Sequence, residues 1–235
     1  MGAKFRQTRY GDLPELASGG LHARAFKIFR CHVSAGARVL DLGSGAGAWA
    51  QRLHDAAYDV TACDLELPPQ AFPFSYLKLD LQRNFSESFS PESFDAVSML
   101  EVIEHVENPR HVIRQIRPLL RNGGMLLLST PNASGLYSRV RFFFTGKMSM
   151  FTDEAYVASG HITPLTAWQL EKIFAENDLT AVERRFHDAP FLPPRSIGDV
   201  AKIAAWLLAR PFTFGTVGGQ NILYVVRKGA ERPLP

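Results

Sequence analysis

Three glycines at alternate positions, Gly43, Gly45 and Gly47, separate an apolar run, Val39 to Leu42, from a stretch with helical apolar spacing at Trp49, Leu53 and Ala57. Glycine permits a tight turn and leaves no Cβ in the way of a ligand. A helix that starts directly after such a turn presents free N–H groups at its first residues. A strand feeding a helix in this way belongs to a parallel sheet with helices on its faces. The spacing is G-x-G-x-G, whereas dinucleotide sites use G-x-G-x-x-G. An acidic residue, Asp41, lies two positions before the first glycine.

The rest of the chain repeats the alternation. Strands are predicted at Arg38 to Leu42, Asp59 to Cys63, Tyr76 to Leu79, Phe94 to Leu100 and Met125 to Ser129. A helix from about Ala46 to Ala56 follows the first. Between the fourth and fifth, ENPRHVIRQIRPLLRNGG reads as a helix with Asn108 as N-cap and Pro109 in the first position. Gly123 and Gly124 are expected to end it, with Pro118 shortening or kinking it. A further helix opens at Thr163 or Thr166 and runs to Asn177. Strands at Thr180 to Phe186 and Asn221 to Arg227 complete a seven-stranded, mostly parallel sheet, the last one joining as a late hairpin partner.

Two stretches interrupt this order. Residues 133–161 are rich in aromatics and bases, including Tyr137, Arg141, Phe142, Phe143, Phe144, Phe151 and Tyr156. Such an insertion at a strand end reads either as a lid or as a helical hairpin packed on the core. The second, residues 188–219, starts proline-rich and holds an expected helix over 199–208. The whole is expected to be a single domain: an N-terminal helical segment (1–36), a binding core (37–132), the lid insertion (133–161) and a C-terminal part (162–235).

With 26 Lys plus Arg against 23 Asp plus Glu, the charge is near balance, which argues against a nucleic-acid partner. Cys31 and Cys63 form no paired pattern, and the N-terminus is polar with no apolar core. These features predict a reduced, cytoplasmic protein. The stretch 200–212 places Ile203, Trp206, Leu207 and Phe212 beside Lys202 and Arg210, a pattern open to peripheral membrane contact or to ordinary packing. Oligomeric state is not legible.

Acidic residues end three strands in a row: Asp41 inside the first, Asp64 after the second, Asp80 after the third. Open α/β sheets bind ligands at the carboxyl ends of their strands. With VLDLGSGAG, VTACD, YLKLDL, FDAVSMLEVIEHV and LLRNGGMLLLSTPN in this order, the chain resembles the class I S-adenosylmethionine-dependent methyltransferases, whose fold is Rossmann-like. The resemblance implies that Asp41 and the loop Gly43, Ser44, Gly45 and Gly47 hold the methionine part of S-adenosylmethionine. It implies Asp64 and Leu65 at the ribose, Asp80 and Leu81 at the adenine, and Met99 and Leu100 lining the same pocket.

The reacting end falls in Glu101, Val102, Ile103, Glu104 and His105. Glu101, Glu104 and His105 share one face if the segment is helical. In one reading His105 is a general base oriented by a carboxylate. In another, Glu101, Glu104, His105 and His161 ligate Mg2+, which would lower an acceptor hydroxyl's pKa. A third leaves them to fix the turn before the next helix. The E-x-x-E-H pattern is similar to the ubiquinone-biosynthesis-type small-molecule O-methyltransferases and, more weakly, to small-RNA 2′-O-methyltransferases. The resemblance therefore implies O-methylation of a small-molecule acceptor. The alternatives are RNA 2′-O-methylation and a non-catalytic domain that binds the cofactor.

Overall fold

The computed structural model describes residues 8–187 and 218–229. A short hairpin, β1 (Arg9–Tyr10) and β2 (Leu13–Pro14), leads into α1 (Leu21–His32). The alternating part follows: β3 (Arg38–Leu42), α2 (Ala48–Asp55), β4 (Asp59–Asp64), β5 (Ser75–Lys78), β6 (Phe94–Leu100), α3 (Pro109–Ile116) and β7 (Leu120–Pro131). Then come α4 (Leu136–Thr145), α5 (Asp153–Ser159), α6 (Ala167–Ala175), β8 (Leu179–His187) and β9 (Asn221–Lys228).

The sheet has seven strands in the order β5-β4-β3-β6-β7-β9-β8. The pairings from β5 to β7 are parallel; β9 runs antiparallel to both β7 and β8. The late strand is thus inserted into the sheet and not added at its edge.

Strand alternation explains why helices cover both faces. Successive side chains of a strand point to opposite sides. Val97 and Met99 of β6 join a core with Val112, Ile113 and Ile116 of α3 and Leu170, Ile173 and Phe174 of α6. Ala96 and Leu100 of the same strand join the opposite core, with Leu21, Ala25 and Phe29 of α1 and Trp49 and Leu53 of α2. A central strand buried on both sides reads as the continuous apolar run seen in its sequence.

Local signals set most helix ends. Asn108 Oδ1 accepts the His111 amide at 3.0 Å, with Pro109 next to it in the first helical turn. Of the two expected starts for the later helix, Thr166 is the real one. It forms a capping box in which Thr166 Oγ1 accepts the Gln169 amide at 3.2 Å and Gln169 Oε1 accepts the Thr166 amide at 2.9 Å.

The helix expected to reach Gly123 and Gly124 stops at Ile116 instead. Pro118 has no amide to continue the ladder, so one tight turn, Arg117–Leu119, leads straight into β7 at Leu120. The two glycines lie within β7. Its register on β6 jumps there, from Phe94 opposite Leu120 to Ala96 opposite Met125. Gly123, at φ 75, makes that bulge possible.

Residues 133–161 form α4 and α5, and Phe143 and Phe144 are 81% and 78% exposed, so these rings do not pack on the core. The helix expected over 199–208, and with it the membrane-contact pattern at 200–212, lies outside the described residues. Among the described residues no helix is long and apolar enough to cross a membrane.

Candidate active site

A cavity of about 790 Å³ opens at the carboxyl ends of β3, β4, β5 and β6. Its walls include Asp41, Gly43, Ser44, Gly45, Asp64, Leu65, Asp80, Leu81, Leu100, Glu101, His105 and His161. Nearly every expected site residue therefore meets in one place. Two do not. Met99 points to the opposite core, because it is one residue out of phase with Leu100 on the strand. Gly47 is buried beneath the cavity wall. It has φ 81, and a Cβ built on it would come within 2.4 Å of the Phe72 ring. Its glycine is required by packing.

The glycine loop is held from below. The Gly43 and Ser44 amides donate to the Cys63 carbonyl at 2.8 and 2.9 Å. Gly45 donates to Asp64 Oδ2 at 2.7 Å, while Asp64 Oδ1 accepts the Leu65 amide at 2.7 Å. Tyr76 donates its hydroxyl to the Gly45 carbonyl at 2.7 Å. Asp80 accepts the Gln82 amide at 2.9 Å and the Arg83 guanidinium at 3.3 Å.

Asp41 is buried under the loop. Its Oδ1 accepts the Ser98 hydroxyl at 2.8 Å, and its Oδ2 has no partner among the described residues. Burial pushes its carboxyl up to about 7, against the lowering effect of its hydroxyl donors. A buried carboxylate oxygen left bare at a cavity wall suits a cationic group of a ligand.

Glu101 has φ 56, in the left-handed region, so the chain turns sharply where β6 ends. The single turn Ile103–His105 follows. Glu101 consequently does not share a helical face with Glu104 and His105. Its carboxyl is committed elsewhere, accepting Ser129 Oγ at 2.8 Å and Asn221 Nδ2 at 2.5 Å. Desolvation pushes it up to about 7.

Of the four residues expected as metal ligands, Glu104, His105 and His161 converge, each offering one ligand atom within 4.8 Å of the others. Glu101 stands apart. His105 Nδ1 lies 3.1 Å from the Gly160 carbonyl, and His161 Nδ1 lies 2.7 Å from the Met150 carbonyl. A carbonyl only accepts, so each Nδ1 carries the proton and each Nε2 is left with its lone pair. The expected carboxylate orienter is replaced by backbone: Glu104 Oε1 is 3.9 Å from His105 Nε2, too far for a hydrogen bond. Glu104 is fully buried, its Oε2 accepts Thr130 Oγ1 at 2.9 Å, and its Oε1 has no partner among the described residues. Burial, then the Glu101 charge, raises its pKa well above the usual carboxylate range. Burial also lowers that of His161.

One wall of the cavity carries no signal in the sequence. Glu15, Leu16, Ser18 and His22 close the cavity from the N-terminal side, together with Trp49 of α2. Trp49 was visible only as an apolar position, and nothing in the segment before α1 marks it as part of a site.

A sequence profile of the family described as "Methyltransferase domain" matches residues 4–184. The ubiquinone biosynthesis O-methyltransferase of Xanthomonas axonopodis pv. citri (strain 306) is 41% identical over 106 residues, covering 42% of this chain and 44% of that protein. The matched part thus spans less than half the length of the curated relatives. Among solved structures, the 1,6-didemethyltoxoflavin-N1-methyltransferase of Burkholderia thailandensis, with bound S-adenosylhomocysteine, superposes with TM-score 0.61 at 17% identity, covering 89% of this chain and 78% of that one. The phosphoethanolamine N-methyltransferase 2 of Haemonchus contortus, in complex with S-adenosyl-L-methionine, gives TM-score 0.61 at 16% identity, covering 92% and 54%. With the profile spanning well over half of the chain, the chain belongs to the methyltransferase-domain family, in the S-adenosylmethionine-dependent class.

Proposed function

We propose that this protein transfers the methyl group of S-adenosylmethionine to an oxygen of a small-molecule acceptor, with His105 as the general base. The observation that carries the reading is the pair of imidazoles at the end of β6, each held by a backbone carbonyl so that its Nε2 lone pair is free. Methyl transfer from a sulfonium is an in-line displacement, so the protein's task is alignment plus removal of the acceptor proton. His105 takes that proton at Nε2. The imidazolium so formed lies beside the buried Glu104 carboxyl. His161, on the chain leaving α5, sits with its ring centroid 4.9 Å from that of His105 and walls the acceptor end. Met150, Ala158 and Ser159 of the 133–161 segment line the same end, which supports reading that segment as the cover of the acceptor chamber.

The convergence of Glu104, His105 and His161 favours one further reading, a divalent cation. Two imidazole nitrogens and one carboxylate oxygen, the latter bare, fit Zn2+, Mn2+ or Fe2+ better than Mg2+, which prefers an all-oxygen shell. A cation there would supply Lewis acidity toward an acceptor oxygen. The ubiquinone-type relatives point to phenolic acceptors, and the identity over their matched part supports testing those first.

The test is transfer of a labelled methyl from S-adenosylmethionine to a panel of phenols, catechols, sugars and amines, run with and without added cations and with His105→Gln. O-methylated product that disappears in the variant, while S-adenosylhomocysteine still binds, supports the reading. Exclusive N- or C-methylation, or full turnover in His105→Gln, sinks it.

A further inference from the structure

The strand order β5-β4-β3-β6 sets out the cavity as a row. Asp80 follows β5, Asp64 ends β4, the glycine loop follows β3, and Glu101 to His105 follow β6. With the adenine and ribose at the first two and the acceptor at the last, the amino-acid end of the cofactor falls above β3 and the first turn of α2.

His22 and Trp49 meet at that place. Both are buried, both line the cavity, and their rings pack edge to face with centroids 5.7 Å apart. Neither His22 Nδ1 nor Trp49 Nε1 has a hydrogen-bond partner among the described residues. An indole N–H can only donate, and leaving it buried and unpaired costs about 1–3 kcal/mol. The Trp49 N–H and His22 Nδ1, which donates in the tautomer that carries its proton there, lie on packed rings where a ligand group completes the bonding.

The surroundings define the charge of that ligand group. Glu15 Oε1 is 3.8 Å from His22 Nδ1, beyond hydrogen-bonding reach, and accepts Arg52 Nη2 at 2.8 Å. Glu15 also takes the Thr8 hydroxyl, so its charge is matched by Arg52 and its oxygens are occupied. The start of α2 has no side-chain cap, since Gly47 stands at the cap position. Its free amides add partial positive charge beside Trp49. On the other side of the loop is the bare Oδ2 of Asp41. A donor pair and an acceptor flanking one glycine turn match a zwitterion.

We infer that His22 and Trp49 form the subsite for the carboxylate of the cofactor's amino-acid end, with Asp41 accepting from its ammonium. This rests on the placement of S-adenosylmethionine in the cavity. The subsite makes the protein select compounds with the intact amino-acid tail over nucleoside thioethers that lack it.

The experiment is calorimetric titration of S-adenosylhomocysteine and of 5′-methylthioadenosine, which lacks the tail, into wild type, Trp49→Phe and His22→Phe. Both variants keep an aromatic ring and lose the donor. Thermal unfolding confirms that each is folded, and Trp49→Phe and His22→Phe test the subsite independently should one fail to fold. The expected result is about 10- to 100-fold weaker binding of S-adenosylhomocysteine, with 5′-methylthioadenosine unchanged. Equal weakening of both ligands overturns the inference and assigns the two rings to packing. So does unchanged binding of both. If wild type binds neither, the cofactor placement itself fails and the subsite falls with it.

Discussion

Asp64 Oδ2 accepts the Gly45 amide at 2.7 Å, so the carboxylate that ends one strand fixes the turn that ends its neighbour. The same side chain lines the cavity and holds the Leu65 amide through its other oxygen. It is therefore a loop brace that also faces the cavity, where the proposed function makes it a cofactor contact. Asp64→Ala is expected to weaken S-adenosylhomocysteine binding by a charged hydrogen-bond contribution of about 1.5–3 kcal/mol, read by calorimetry. Unchanged affinity would remove Asp64 from the cofactor site.

Binding and turnover should separate at His105. His105→Gln keeps a polar side chain near Gly160 but cannot accept a proton at neutral pH. S-adenosylhomocysteine affinity is expected to stay within error while the turnover number falls by about 10²–10⁴, the usual worth of a general base. Loss of both together would place His105 in the fold and not in the chemistry.

Stability without ligand should fall as pH rises from 6.5 to 8. Burial raises the folded-state pKa of Asp41 from 3.8 to about 7, so the folded protein keeps a proton that the unfolded chain has lost. An acid raised in this way contributes stability at low pH that disappears as pH climbs through the folded value. For Asp41 alone the loss over this window is about 1 kcal/mol. Glu101, also raised to about 7 by desolvation, acts in the same direction. His22, lowered to about 4 by burial, and His161, also lowered by burial, oppose this at the lower edge of the window, where the same side chains in the unfolded chain are still partly protonated, so the net fall is smaller than the carboxyls alone would give. Thermal unfolding at pH 6.5 and 8, for wild type and Asp41→Asn, checks the sign; an Asp41→Asn protein with the same pH slope as wild type counts against it.

Gly47→Ala should destabilise for two separable reasons. The residue sits at φ 81, and its new methyl would lie 2.4 Å from the Phe72 ring. Backbone strain and overpacking each cost about 1–3 kcal/mol. Adding Phe72→Ala relieves the contact but not the φ, so denaturant midpoints for the double variant should recover only part of the loss relative to Phe72→Ala alone.

The sequence discloses those parts of the molecule where local chemistry and tertiary structure agree. Glycine spacing, strand-end acids and two-sided apolar strands are short-range patterns, and they place Asp41, Asp64 and Asp80 in one cavity. Met99 fails by one residue of phase, since a strand's apolar run says nothing about which face is the pocket. Glu101 leaves the shared face that its spacing to Glu104 and His105 suggests, because the backbone turns left-handed there. The end of α3 fails because Pro118 outweighs two glycines further on. His22 comes from 27 positions before Trp49, and no periodicity links them; only the packing of α1 on α2 brings the rings together.

β9 follows β8 in the chain, yet it fills an interior slot between β7 and β8 and pairs along the length of both. A nascent chain that has emerged only through β8 therefore holds two open strand edges and an incomplete apolar layer, without Tyr224 and Val226. It also lacks Asn221, which joins Ser18 to Glu101 through bonds of 2.7 and 2.5 Å. Until β9 docks, Glu101 lacks this brace and the facing edges of β7 and β8 are open to pairing with other chains.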